Sequence, residues 1–187
     1  MFMRPLIAPR LVPIFFVLSA LGCGNKIGDS CETNADCSAE GGRTCDPAPN
    51  SPGGYCTIAN CDFGTCPDEA TCVRFFPVSQ IQKECSAGCA LDEACVMGKC
   101  APRKTEVRFC MLKCDSHGDC RDNYECRDAT RMTAHGGEPV QDPNAAESKV
   151  GPSFCAPSKT CTRNEDCDLG DTCPSPTSAG NLYCQRP

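Results

Sequence analysis

Apolar side chains crowd the start of the chain and thin out after it. Leu11–Leu21 reads LVPIFFVLSAL, carries no acid and follows Arg4 and Arg10, the charged-then-apolar order of an export signal. A spanning helix needs about 20 apolar residues; this run is much shorter and contains Pro13, so residues 1–22 are expected to be removed rather than retained. Beyond residue 23 no 3.6-residue apolar period is sustained, which predicts short helices or none. Brief runs of strand type stand out instead, and Gly53–Ile58, Val107–Met111 and Asn181–Cys184 each predict a few residues of hairpin.

Cysteine supplies the longer pattern. Of 21 cysteines, Cys23 closes the apolar segment and the other twenty run from Cys31 to Cys184. In register they form five sets of four: Cys31, Cys37, Cys45, Cys56; Cys61, Cys66, Cys72, Cys85; Cys89, Cys95, Cys100, Cys110; Cys114, Cys120, Cys126, Cys155; and Cys161, Cys167, Cys173, Cys184. An aromatic precedes the fourth cysteine in four sets (Tyr55, Phe109, Phe154, Tyr183), and Glu84 stands there in the second. Asp36, Asp119 and Asp166 precede the second cysteine in three sets and are expected to cap turns; no Asp-x-Asp-x-Asp-Gly loop points to calcium. The fold class expected is small and disulfide-rich: five tandem four-cysteine modules (31–56, 61–85, 89–110, 114–155, 161–184), each with a short β-hairpin, irregular loops and an aromatic ring lying on its bridges. Residues 23–30 would form a short tether. Four cysteines allow three pairings and spacing does not select one; first with third and second with fourth is the expectation, because it keeps both bridges near the aromatic.

Composition explains why cross-links are needed. After removal of residues 1–22 only 18 Leu, Ile, Val and Phe remain, well under the share at which a chain folds on its apolar content alone. Disulfides persist in an oxidising compartment, so folding is expected after export. The same cleavage leaves 16 basic and 24 acidic side chains, a scattered negative charge that argues against a nucleic-acid partner.

Two resemblances add to this reading. Ser19-Ala20-Leu21-Gly22-Cys23 resembles the lipobox of bacterial lipoproteins, with Ala20 where Leu is commonest. That resemblance implies cleavage before Cys23, a diacylglyceryl thioether on its sulfur and a lipid anchor as the contact with the membrane; Gly24, not an acid, follows it, which implies the bacterial outer membrane. Cys31–Cys56 and Cys161–Cys184 look like the Dickkopf N-terminal type of cysteine-rich repeat met in such lipoproteins, with a weaker likeness in the other sets. What this implies is an extracytoplasmic recognition or envelope module with an unidentified protein partner.

Site chemistry is sparse. No Cys-x2-Cys occurs, which speaks against zinc and against thioredoxin-type exchange, and no cofactor or catalytic residue is expected. His117 and His135 read as solvated loop histidines, and the insert from Arg127 to Ser153 as a mobile loop. Phe75 and Phe76, adjacent in the loop after Cys72, are the candidate binding contact; the alternative is that they fill the space left by the missing aromatic at Glu84. The competing function is a secreted protease inhibitor presenting Arg74–Pro77 or Met97–Cys100.

Overall fold

The computed structural model describes residues 25–81, 83–84, 88–96, 98–144, 151–174 and 182–186; the apolar N-terminal run expected to be an export signal, Cys23 and Cys85 lie outside these residues. In chain order the elements are α1 (Asn34–Cys37), β1 (Thr44–Asp46), β2 (Tyr55–Thr57), β3 (Ala70–Phe75), β4 (Lys83–Glu84), β5 (Glu93–Val96), β6 (Lys99–Pro102), β7 (Val107–Leu112), β8 (Tyr124–Arg127), α2 (Ala129–His135), β9 (Glu138–Pro139), β10 (Phe154–Pro157), β11 (Thr160–Cys161) and β12 (Leu182–Tyr183). All strand pairings are antiparallel: β1 with β2, β3 between β7 and β9, β6 between β4 and β5, β8 with β10, and β11 with β12. The short strands and scarce helix match the expectation, and each of the three predicted hairpin runs contains a strand.

Nine bridges close among the described residues, and four pairs of them repeat one arrangement. The first unit has Cys31–Cys45 and Cys37–Cys56; the third has Cys114–Cys126 and Cys120–Cys155; the fourth has Cys161–Cys173 and Cys167–Cys184. These follow the expected interleaving. Residues 61–110 depart from it. Cys61 pairs with Cys72, but Cys66 reaches Cys110, and Cys89 pairs with Cys95. The second unit therefore uses Cys110 as its fourth cysteine, and β4, β5 and β6 belong to an insertion between β3 and β7.

The reason lies in strand register. Cys45 faces Cys56, Cys72 faces Cys110 and Cys126 faces Cys155 across their hairpins, while the Thr172–Gln185 bridge sets the neighbouring Cys173 and Cys184 in line. The third and fourth cysteines thus sit side by side on one hairpin, and each reaches back to strap the preceding loop across it. In the six-residue ladder of β3 with β7 this place is taken by Cys110.

In the loops of the first, third and fourth units a carboxylate takes the orphan backbone donors of a single turn. Asp36 Oδ2 accepts from the N–H groups of Glu32 and Thr33 at 2.9 and 2.8 Å. Asp119 Oδ2 does the same for Asp115 and Ser116 at 2.9 and 2.7 Å, and Asp166 Oδ2 for Thr162 and Arg163 at 2.7 and 3.1 Å. In the second unit Thr65 stands in, its Oγ1 accepting from Asp62 N at 2.8 Å. These bonds to the charged form lower the pKa of Asp36 and Asp119 and hold Asp166 at about 2. Asn34 and Asn164 add a second link, each Oδ1 accepting the N–H of the third cysteine, Cys45 at 2.8 Å and Cys173 at 2.9 Å.

The expectation of a ring lying on its own bridges gives way to a shared core. Ile27, Tyr55, Val73, Met111, Tyr124, Met132 and Phe154 form one buried cluster across the first three units. Tyr55 and Tyr124 stack at 5.3 Å between centroids, and Phe75 meets Phe154 edge-on at 6.1 Å. Aromatic pairs of this kind contribute about 0.5–1.5 kcal/mol beyond their burial. Two glycines permit the close packing. At Gly54 (φ +70°) an added Cβ would lie 1.9 Å from the Cys31 carbonyl oxygen, and at Gly137 (φ +85°) 2.8 Å from both Phe75 and Phe154. Part of the 127–153 insert, expected as a mobile loop, is ordered structure: α2, capped by Asp128 accepting from Arg131 N at 2.9 Å, and β9, which extends the β3 sheet. Residues 145–150 lie outside the described set.

Candidate functional site

The hairpins of the first three units line a half-open cavity of about 330 Å³, with Tyr55, Phe75, Phe109 and Met111 as its apolar lining and Asp46 and Arg127 among its polar lining. Its volume is at the lower end of small-ligand sites. Most polar groups around it are already engaged within the protein. Tyr55 Oη accepts from Leu112 N at 2.9 Å and donates to the Cys155 carbonyl at 3.3 Å, and Thr57 Oγ1 donates to the Cys110 carbonyl at 2.8 Å. Arg127 donates to Glu125 and to the carbonyls of His135, Gly136 and Pro157, while Asp46 accepts from Ser51 Oγ at 2.7 Å. Such a wall offers rings and a thioether more than hydrogen bonds, a surface suited to a small apolar group.

Behind Arg127 lies a denser polar cluster. Glu125, on β8 and almost wholly buried, accepts from Arg127 Nε at 2.8 Å, from Arg131, and contacts His135 Nδ1 at 2.6 Å. Arg131 continues to Asp171 at 2.7 Å, and Arg186 closes on the other Asp171 oxygen at 3.1 Å. His135 Nε2 lies 2.8 Å from Asp168, close enough for an ion pair but out of line for a hydrogen bond. Burial alone would raise the Glu125 pKa; the hydrogen bond from His135 and the charge of Arg127 outweigh it and hold the carboxyl at about 2. Burial lowers the Arg127 pKa, whereas for Arg131 the same penalty is overcome by Asp171 and Glu125. The carboxylates Glu125 and Asp171 face guanidinium groups, so a cation entering here would compete with charges already in place.

The chain matches no family model, no curated protein and no solved structure.

Phe76 is 8 % exposed, packed with Ala94, Val96, Ala101 and Ile81 in a small second core of the insertion, and Phe75 is half-buried against Phe154. Phe76 is thus turned into the insertion's own core, while Phe75 is half-buried and lines the cavity described above. His135 is no solvated loop histidine: its side chain, at the end of α2, is 10 % exposed between Glu125 and Asp168. His117 is half-buried with Nδ1 lacking a hydrogen-bond partner, and burial, with the charges of Arg186 and Arg131, lowers its pKa. Arg74 of the supposed inhibitory loop lies in β3 and is ion-paired with Glu138 on β9; Met97 of the other loop lies outside the described residues. Of the disulfide set, eighteen cysteines are bridged as described, Cys100 is buried on β6, and Cys85 falls outside.

Sulfur atoms come within 4.8 Å of one another in five cysteine triplets. In four of these every member is half of a disulfide, and a disulfide has no thiolate to give a metal. Sequence reasoning missed the charged cluster because its members are separated by up to 61 positions. A weaker signal was present: Asp168 and Asp171 occupy the loop between Cys167 and Cys173, and Arg127, Arg131 and His135 recur at four-residue spacing, the period of one helix face.

Proposed function

We propose that this is a lipid-anchored, non-enzymatic extracytoplasmic protein of a bacterial envelope, displaying disulfide-strapped units as a recognition or structural module. The observation that carries the reading is the division of the cysteines: eighteen of the twenty from Cys31 onward close on one another among the described residues, and Cys23 stands apart behind a lipobox-like segment. Dense bridging supports an oxidising compartment. The repeated interleaved pairing supports a tandem array, read from the bridges as four units with an insertion in the second rather than as five. The likeness to Dickkopf N-terminal-type repeats and the Gly24 that follows Cys23 support a module held at the outer membrane and facing a protein partner.

Metabolic labelling with a fatty acid tests the anchor. The label is expected on the wild-type chain and is expected to vanish in Cys23→Ser. Release of an unlabelled soluble wild-type protein would overturn the reading.

A further inference from the structure

We infer that the anchored protein rests directly against the lipid headgroups through the Asn25 end of its first unit, with no flexible stalk between. The inference depends on the lipidation of Cys23 proposed above. Its own basis is how early in the chain the fold begins. Arg43 Nη1 donates to the Asn25 carbonyl at 2.5 Å, and its Nη2 lies 3.5 Å from Glu69 of the second unit. Lys26 N donates to Asp29 Oδ2 at 2.7 Å, and Asn25 Nδ2 to the Ser30 carbonyl at 3.3 Å. Ile27 is 1 % exposed and part of the shared core.

The next residues run beside β2 as an extra ladder. Gly28 N donates to the Cys56 carbonyl at 3.0 Å, Cys56 N to the Asp29 carbonyl at 2.9 Å and Cys31 N to the Gly53 carbonyl at 3.2 Å. A Cβ on Gly28, whose φ is +96°, would stand 3.1 Å from Leu112. The chain is therefore held from Asn25 onward, in the segment expected to be a tether. Only two Cα–Cα steps separate Asn25 from Cys23, a reach of about 7 Å when fully extended.

A thioether-linked diacylglycerol on Cys23 places that residue at the level of the headgroups. Asn25, fixed to the body, then lies within one headgroup layer of it, and the surface bordering Asn25 faces the bilayer. That surface includes Ser30, Glu32 and Asp36 around a shallow concavity, with exposed Lys26 beside it. It carries both signs of charge, as does a zwitterionic headgroup layer of phosphates and ammonium groups. The partner is the lipid surface itself, and the opposite end of the molecule is left for other contacts.

The test compares the wild-type chain with a variant carrying about ten Gly and Ser residues inserted between Gly24 and Asn25, a flexible stalk of about 18 Å r.m.s. length. Both are labelled in membrane vesicles with an amine-reactive, membrane-impermeant reagent, and modification of Lys26, Lys104 and Lys159 is read by peptide mass spectrometry. All three lysines are exposed on the protein. The expected result is several-fold slower modification of Lys26 in the wild type than in the stalked variant, with Lys104 and Lys159 unchanged. Equal Lys26 rates in two chains that both carry the fatty-acid label would overturn the inference and leave the anchor standing. Absence of the label from both would overturn the anchor, and this inference with it.

Discussion

The first three units and the fourth are joined to the molecule by different physics. Residues from Ile27 to Ala156 share one cluster of rings, aliphatic side chains and sulfur, whereas residues 161–184 contribute Asp168 and Asp171 to a network with Arg131, His135 and, through Arg131, Glu125. The bridges of the fourth unit close on themselves. An apolar joint depends on area removed from water and is indifferent to pH. A charged joint depends on each partner staying ionised and paired, because an uncompensated buried charge is strongly unfavourable. The chain thus combines units joined by an apolar core with a terminal unit joined through charged pairs, although both are built from the same four-cysteine pattern.

The largest test of this contrast is Phe154→Ala. Phe154 is fully buried and meets Phe75, so truncation is expected to lower global stability by about 3–5 kcal/mol, equally at pH 7 and pH 4 in denaturant titrations. A strongly pH-dependent loss would break the comparison from the apolar side. Glu125→Gln is expected to cost about 3 kcal/mol by leaving Arg127 and Arg131 without their shared carboxylate. That loss should appear first as faster hydrogen exchange in the terminal unit, for example at Cys184 N, which bonds the Lys159 carbonyl next to the β11–β12 ladder, while the Tyr55–Tyr124 region stays protected. Uniform loosening would show that the two joints are one.

Acid offers the same cut without mutation. The Glu125 pKa is lowered from its ordinary 4.5 to about 2 in the folded protein. The stabilisation this represents is present above pH 4.5 and is lost as pH falls through about 2. The cap by Asp166, whose pKa is lowered from 3.8 to about 2, contributes fully above pH 3.8 and is lost as pH falls through about 2. Exchange protection of residues 161–173 is therefore expected to fall between pH 4.5 and 2 before that of residues 55–57 and 109–111, and simultaneous loss would contradict the contrast.

The finest test changes no stability. Mass-spectrometric mapping of cystine peptides is expected to recover Cys66 with Cys110 and to find no bridge from Cys161, Cys167, Cys173 or Cys184 to the rest of the chain. By count of the twenty, Cys85 is expected with Cys100. A bridge from the fourth unit into residues 114–155 would make its docking covalent and remove the distinction.

Local features were legible because their partners are close in sequence. The caps at Asp36, Asp119 and Asp166 span three or four residues, and the hairpin runs at Tyr55, Phe109 and Tyr183 carry their own strand preference. The aromatic before the fourth cysteine held more information than spacing did. Tyr55, Phe109, Phe154 and Tyr183 mark the four cysteines that close the four units, and Glu84 marks one that does not close the second. Consecutive grouping of cysteines hid this, since an insertion with cysteines of its own falls between β3 and β7.

What the sequence determined by itself was therefore short in range: an apolar run before Cys23, too little aliphatic content for an uncross-linked core, capped turns, and strands of a few residues. The tertiary structure alone decided that Cys66 meets Cys110 across 44 residues, that Phe75 and Phe76 turn inward, and that His135 lies between two carboxylates. The physical reason is that a cap depends on bonds the chain makes with its next turn. A bridge, a shared core or a buried ion pair depends on which strands lie side by side, and that register is set only when the whole chain has packed.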